Sequence, residues 1–294
     1  MISIIITSFK EPKTIGRAIE HIIQQDIQKP YELIVSAPDK ETLKVAQSYQ
    51  ADNKNIVLFQ DPGKGKSYAI NLLFKKVRGD IIILTDGDVY VSGGSINKII
   101  DLFKDSRVGC VSGRPVSIEN KNYLLGYWSH MLCDAAHLLR IERHTKNKFL
   151  ECSGYFWAFR NHVINAFPLD VAEDSIVPVL FWKKGYRIRY SPESIVYVSY
   201  PKNLSDYVKQ KKRTIKSHEK IPRYVKNPPQ MKTFLNELSG MIEIFRYSKN
   251  ARELLYSFLA IPFRGYLWIV AYKEFLLKKE YQDAWERVES TKNL

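Results

Sequence analysis

The first hundred residues repeat one pattern, an apolar strand-like run followed by about ten residues of helical spacing, and few folds accept it. Ile2 to Thr7 is a buried-strand run, and residues 12–26 place Ile15, Ala18, Ile19, Ile22 and Ile23 on one helical face. Glu32 to Ser36, Ile56 to Phe59 and Ile81 to Leu84 read as further strands, with helices over 39–50 and 67–76 between them. Strands separated by helices of this length imply right-handed crossovers and a mostly parallel sheet. Ligands bind such sheets at the carboxyl ends of the strands. The loops to inspect are therefore 7–12, 36–40, 60–66 and 85–92.

The pattern then changes. A long helix is expected over 122–142, short strand-like pieces near 153–159, 186–190 and 194–199, and a helix over about 174–184. Beyond Tyr200-Pro201 the chain turns basic and helical, and Asn227-Pro228-Pro229 is a linker signal. Two units follow: an α/β domain over 1–225 and a helical module over 226–294. At 294 residues the chain can bury a full core without covalent staples. Met1 to Thr7 has no basic leader and no small-residue cleavage site, so it reads as a strand rather than a signal peptide. Cys110, Cys133 and Cys152 form no CxxC pair. They read as reduced thiols of a cytoplasmic protein.

Charge narrows the partners. The net charge is +14, and residues 201–294 hold 19 Lys/Arg against 10 Asp/Glu, or +9. A basic surface attracts nucleic acid, anionic lipid or phosphorylated substrates. Nucleic acid is disfavoured, because the aromatics lie largely in apolar runs and no nucleic-acid motif occurs. The 19-residue stretch from Leu254 to Tyr272 holds one charge, Arg264. Its length matches a bilayer, but Pro262, Arg264 and Gly265 sit near its centre, and a central Arg is costly there. A helix in the membrane interface, a buried core helix and a true span remain open readings.

Several short motifs can carry chemistry. Thr85-Asp86-Gly87-Asp88 follows an apolar strand, and two carboxylates about a glycine can share Mg²⁺ or Mn²⁺ holding a diphosphate. The same tetrapeptide is ordinary turn chemistry. Asp61-Pro-Gly-Lys-Gly-Lys-Ser67 precedes a helix. Glycines let backbone approach a ligand, and lysines with a helix N-terminus favour phosphate; a solvated basic turn is the plain alternative. Ala172-Glu173-Asp174 opens a helix, either as a cap or as the general base for an attacking hydroxyl. Gln210-Lys-Lys-Arg213 is a charged helix face, or a bidentate pyrophosphate clamp. His130, Cys133 and His137 share one helix face and read as packing. His218 is exposed or completes a metal shell.

Together and in this order, the segments SIIITSFKEPKTIGRAIEHI, DPGKGKSYAINLLFKKVRGDIIILTDGDVYV, AEDSIVPVLFWKKGYRIRYSPESIVYV and QKKRT resemble the inverting family 2 glycosyltransferases over about residues 1–218. The resemblance implies a GT-A fold with a membrane-facing helical module behind it. It implies that Thr7, Ser8 and Glu11 touch the nucleotide, Lys66 the base or diphosphate, Asp86 and Gly87 the sugar-nucleotide, and Asp88 the metal, Mn²⁺ or Mg²⁺. Asp174 would be the catalytic base, with Glu173 positioning it or the acceptor, and Gln210 and Arg213 would lie near the donor diphosphate and the acceptor. Where the family commonly has an acidic pair after the second strand, this chain has Ser36-Ala37-Pro38-Asp39, leaving Asp39 for the base. Thr214 stands where processive members carry Trp. The implied partners are a nucleoside-diphosphate sugar, a lipid-linked or glycan acceptor and an anionic membrane surface. The implied location is peripheral or monotopic, at the inner face of the cell membrane. A nucleotidyltransferase on a related fold is the alternative, although it would carry a Gly-rich loop where this chain has Thr-Ser-Phe-Lys-Glu-Pro.

Overall fold

The computed structural model describes residues 1–229, 231, 245–276 and 289–291. Continuous apolar runs give the buried strands β1 (Ile2–Thr7), β2 (Tyr31–Ala37), β3 (Ile56–Gln60) and β4 (Ile81–Asp86). They pair in parallel in the order β3-β2-β1-β4. Helices α1 (Ile15–Ile23), α2 (Lys40–Gln50) and α3 (Lys66–Leu73) connect them. The stripe predicted for α1 is the buried one: Ile15, Ala18, Ile19 and Ile22 face the sheet.

The rest of the sheet is not parallel throughout. β5 (Tyr90–Val91), α4 (Ser95–Asp101), β6 (Val108–Ser117), α5 (Leu124–Thr145), β7 (Phe156–Arg160), α6 (Glu173–Lys183) and β8 (Arg187–Val198) complete it. The full order is β3-β2-β1-β4-β7-β6-β8-β5. β7 runs antiparallel to both β4 and β6, and β5 antiparallel to β8, while β6 and β8 are parallel. The two pieces expected at 186–190 and 194–199 form one strand, β8. Its register against β6 shifts between Ser112 and Arg114, and Pro192 falls in that irregularity, where a missing N–H costs no ladder bond.

The sheet separates two apolar layers. Ile4, Ile6, Ile19, Leu33 and Ile99 belong to one; Ile5, Ile70, Leu84, Trp157 and Phe181 belong to the other. A third cluster joins α5 to α7 (Leu204–Glu219) and α9 (Ala251–Leu276), through Trp128, Tyr207 and Leu267. A short helix, α8 (Ile221–Tyr224), follows α7. Trp128 Nε1 donates to the Tyr256 carbonyl at 2.8 Å, and the Tyr127 and Ser257 hydroxyls are 2.8 Å apart. Residues 254–272 are thus part of one helix packed on the α/β domain. Among the described residues no helix is long and apolar enough to cross a membrane. The outward side of α9 is nonetheless apolar: Leu255, Phe258 and Ile269 are 56%, 55% and 69% exposed.

The face of α5 that carries His130, Cys133 and His137 is a packing face. His130 Nε2 bonds the Glu119 carbonyl, Cys133 Sγ the Tyr200 hydroxyl and His137 Nδ1 the Tyr190 hydroxyl, at 2.7, 3.3 and 2.7 Å. Burial holds the His137 imidazole below its usual pKa, with Arg114 acting in the same direction.

Candidate active site

The carboxyl ends of β1 and β4 lie side by side at the crevice where the strand order reverses, and contacts there join Thr7, Ser8, Glu11, Lys66, Asp86, Gly87 and Glu173. The Gly87 N–H donates to the Thr7 carbonyl at 2.9 Å. The Thr7 hydroxyl donates to Asp86 Oδ1 at 3.0 Å. Ser8 Oγ donates to Glu11 Oε2 at 2.6 Å, and the Glu11 N–H donates to Thr42 Oγ1 at 2.9 Å. Gly87 is there because nothing larger fits. A Cβ would stand 2.6 Å from Glu11 Oε2 and closer still to Ser8 Oγ.

Lys66 opens α3 and reaches across the crevice. Its ammonium donates to Asp86 Oδ1 at 2.7 Å and to the Gly154 carbonyl at 3.3 Å. It pairs with Glu173 Oε1 at 2.8 Å. All three side chains are largely buried, at 12%, 20% and 7% exposure for Lys66, Asp86 and Glu173. Burial alone would push the Lys66 ammonium toward neutrality; Asp86 and Glu173 outweigh it and keep the group charged. Burial raises the Asp86 carboxyl above its ordinary value, Lys66 pulls it down and the neighbouring Asp88 pushes it up again.

Glu173 therefore holds Lys66, and the adjacent Asp174 is left facing Gly154. A Cβ on Gly154 would lie 2.8 Å from Asp174 Oδ2. Asp174 is half-buried and takes a long 3.4 Å bond from Ser175 Oγ. Asp39 lies to one side of this group. It caps α2, accepting from the Thr42 N–H at 2.9 Å and from the Lys10 N–H at 2.7 Å. Burial would raise its carboxyl, but those bonds prevail and hold it below the usual value. Gln210 and Arg213 are on α7. Arg213 is exposed, and its charge is felt at the Tyr155 hydroxyl, which also feels Asp86 and Asp88. The His218 side chain lies outside the described residues.

Two residues without a role in the motif reading belong to this neighbourhood. Asp61, at the end of β3, is buried and bonds Ser36 Oγ and the Gly63 N–H at 3.1 and 2.8 Å. Its carboxyl is raised, chiefly by burial. Tyr155 follows Gly154 and accepts from Thr85 Oγ1 through its carbonyl at 3.0 Å. Its signals were the first residue of the DPGKGKS loop and a lone Ser-Gly-Tyr, both too short to stand out.

A divalent metal fits only in part on protein ligands alone. Among the described residues no three His, Cys, Asp or Glu side chains come together as a metal site. Asp86 and Asp88 offer hard oxygen donors, and Mg²⁺ and Mn²⁺ are commonly bound by one or two carboxylates together with substrate phosphates.

The family model for "Glycosyltransferase like family 2" matches residues 1–217. The chain belongs to glycosyltransferase family 2. It is 24% identical over 239 residues to an N-acetylglucosaminyltransferase of Azorhizobium caulinodans, covering 74% of this chain and 59% of that one. It is also 24% identical over 226 residues to a poly-beta-1,6-N-acetyl-D-glucosamine synthase of Staphylococcus aureus, covering 72% and 53%. The chain thus spans a little over half the length of these curated relatives. Among solved structures, the mannosyltransferase PcManGT from Pyrobaculum calidifontis, in complex with GDP-Man and Mn²⁺, superposes with a TM-score of 0.62 at 18% identity. That match covers 94% of this chain and 79% of the other. S. aureus TarS 1–349 in complex with UDP gives 0.54 at 16% identity, over 86% and 77%. The fold is GT-A.

Proposed function

We propose that the protein transfers a sugar from a nucleoside-diphosphate donor to a hydroxyl of a lipid-linked or glycan acceptor, with inversion. The observation that carries this reading is the division of labour between Glu173 and Asp174. The first shares the Lys66 ammonium with Asp86, and the second is a half-buried carboxylate beside Gly154. An inverting displacement needs a base on one face of the anomeric carbon and positive charge on the other. Asp174 takes the acceptor hydroxyl proton, and the oxygen attacks the anomeric carbon. The bond from that carbon to the diphosphate oxygen breaks, and the electron pair leaves with the diphosphate. Arg213 on α7 is the cation offered to the developing charge, since Lys66 is already paired with Asp86 and Glu173. Thr7 and Lys66 hold Asp86 for the donor, and the closeness of Gly87 to Ser8 and Glu11 fixes the loop that presents Asp88. Mn²⁺ or Mg²⁺, held by Asp86 and Asp88, would supply neutralisation of the diphosphate charge.

The relatives' printed activities support an N-acetylglucosamine or mannose donor as the first to try. The outward apolar side of α9 and the +9 charge after residue 200 support work at the cytosolic face of a membrane. Donor turnover by Asp174→Asn tests the assignment. Transfer should fall by at least about 1000-fold, while donor affinity, read by calorimetry, stays within about twofold. Near-normal transfer by this variant would remove Asp174 as the base.

A further inference from the structure

The helix that presents Glu173 and Asp174 does not fix its own start. Its N-cap position is Ala172, which has no side-chain oxygen to offer the first-turn N–H groups. The placement of that turn therefore depends on the loop 161–172 that leads into it. Two elements anchor this loop. From α3, Asn71 Nδ2 donates to the Phe167 carbonyl at 2.8 Å, and Asn71 Oδ1 accepts from the Phe167 N–H at 3.1 Å. The second anchor is the segment that follows α7. The Tyr224 hydroxyl donates to Asp170 Oδ1 at 2.5 Å, and the Lys220 ammonium pairs with Asp170 Oδ2 at 3.1 Å. Burial would raise the Asp170 carboxyl, but these two partners prevail and hold it below its usual value.

The same segment also grips the other side of Asp174. Ile221, Val225 and Met231 are buried in one apolar layer with Val171, Ile176 and Cys152. Met231 Sδ accepts from the Glu151 N–H at 3.4 Å, three residues before Gly154, the close neighbour of Asp174. Residues 220–231 thus hold both stretches of chain between which the carboxylate of Asp174 stands. They continue directly from α7, on which Arg213 lies seven residues before Lys220. The polar part of this clamp is at the surface, with Tyr224 46% and the Asp170 side chain 32% exposed. Exposed ion pairs add little to global stability, so what the clamp sets is local: where the first turn of α6 stands.

We propose that Asp170 is a positioning residue for Asp174: by joining Lys220 and Tyr224 it ties the loop that carries the base to the segment that follows the Arg213 helix, and so fixes the separation of base and donor-side cation. The inference rests on the transferase reading above and adds to it the element that keeps the two halves of the site in place.

The test is hydrogen exchange of the full chain, read by mass spectrometry, alongside kinetics. Asp170→Ala removes both bonds, and residues 171–177 should exchange at least about tenfold faster while β1 and β4 are unchanged. Its Tm should fall by no more than about 3 °C. With UDP-N-acetylglucosamine or GDP-mannose as donor and water as acceptor, kcat for release of the nucleoside diphosphate should fall at least about tenfold, because misplacing a reacting group by about 1 Å costs on the order of 100-fold. Donor KM should stay within about twofold. Tyr224→Phe and Lys220→Met should each lose part of kcat, and Lys220→Arg, which keeps the charge, should restore most of it. Unchanged exchange at 171–177 overturns the inference. So does an unchanged kcat, or a kcat lost only in step with a large fall in Tm, since Asp170 would then serve the fold and not the base. No release from either donor by wild type would be a failure of the transferase reading instead, and the exchange of 171–177 decides on the clamp independently of it.

Discussion

Replacing Lys66 by Met removes one cation from between two buried carboxylates. The side chains are similar in length, so the change is mainly one of charge. Lys66 pairs with Asp86 at 2.7 Å and Glu173 at 2.8 Å, with 20% or less of any of the three side chains exposed. Removing one partner of a buried ion pair costs about 3–5 kcal/mol, because the charge left behind is uncompensated. Here two are left, and part of the penalty is relieved by taking up a proton. Thermal unfolding at pH 7.5 should therefore lose on the order of 10 °C for a chain of this size. The pH dependence has a defined sign. Burial already raises the Asp86 carboxyl, and the variant loses the Lys66 charge that pulls it down, so its penalty is smallest at low pH and grows as pH rises through the folded value. The gap to wild type should narrow between pH 7.5 and pH 5. Adding Glu173→Gln to Lys66→Met should recover part of the loss, with a coupling of about 1–3 kcal/mol. A loss under about 1 kcal/mol at pH 7.5, or strictly additive single changes, would refute the reasoning that Lys66 is the counter-ion of both halves of the site.

Three further outcomes follow from single contacts. Gly154→Ala places a methyl 2.8 Å from Asp174 Oδ2; it should lower kcat at least tenfold while the donor KM moves little, as steady-state kinetics would read. Glu32 is buried and accepts from Ser3 Oγ, from the Arg78 N–H and from Arg78 Nε, at 2.5, 2.7 and 2.9 Å. Burial opposes its ionisation, but those bonds prevail and its carboxyl is held below the usual value. Glu32→Gln should cost about 2–3 kcal/mol in urea unfolding at pH 7, and the difference should shrink as pH falls below about 4, because a depressed carboxylate contributes only above its unfolded pKa. Asp39→Ala removes the cap of α2 and should lower stability by about 1 kcal/mol in the same assay.

Much of the parallel half of the fold was legible because buried parallel strands are continuous apolar runs. Ile2–Thr7 and Ile81–Asp86 could hardly be read otherwise. β6 was not, since Gly109, Gly113 and Pro115 dilute its strand signal, and only its pairing with β7 and β8 makes it a strand. β5 and α4 are two and seven residues long, too short for periodicity. The direction of β7 was invisible, because whether a strand runs parallel or antiparallel is decided by the connection, not by its residues. At the site, motif order located Lys66, Asp86 and Glu173 separately. That one ammonium joins them is a contact across 107 residues of chain and had no local signal. Asp39, the acidic residue left where the family commonly has a pair, also caps α2 by accepting from the Lys10 and Thr42 N–H groups, a role set by tertiary contacts.

The most direct test of glycosyl transfer from a nucleoside-diphosphate donor is thermal stability against UDP, GDP, TDP and CMP, each with and without Mn²⁺, in wild type and in Asp88→Asn. A ligand at about 100 times its dissociation constant adds roughly 2.7 kcal/mol. The account predicts a rise in Tm with one nucleoside diphosphate that depends on Mn²⁺ in wild type and is lost in Asp88→Asn. No rise with any nucleotide, or an equal rise in the variant, would contradict it.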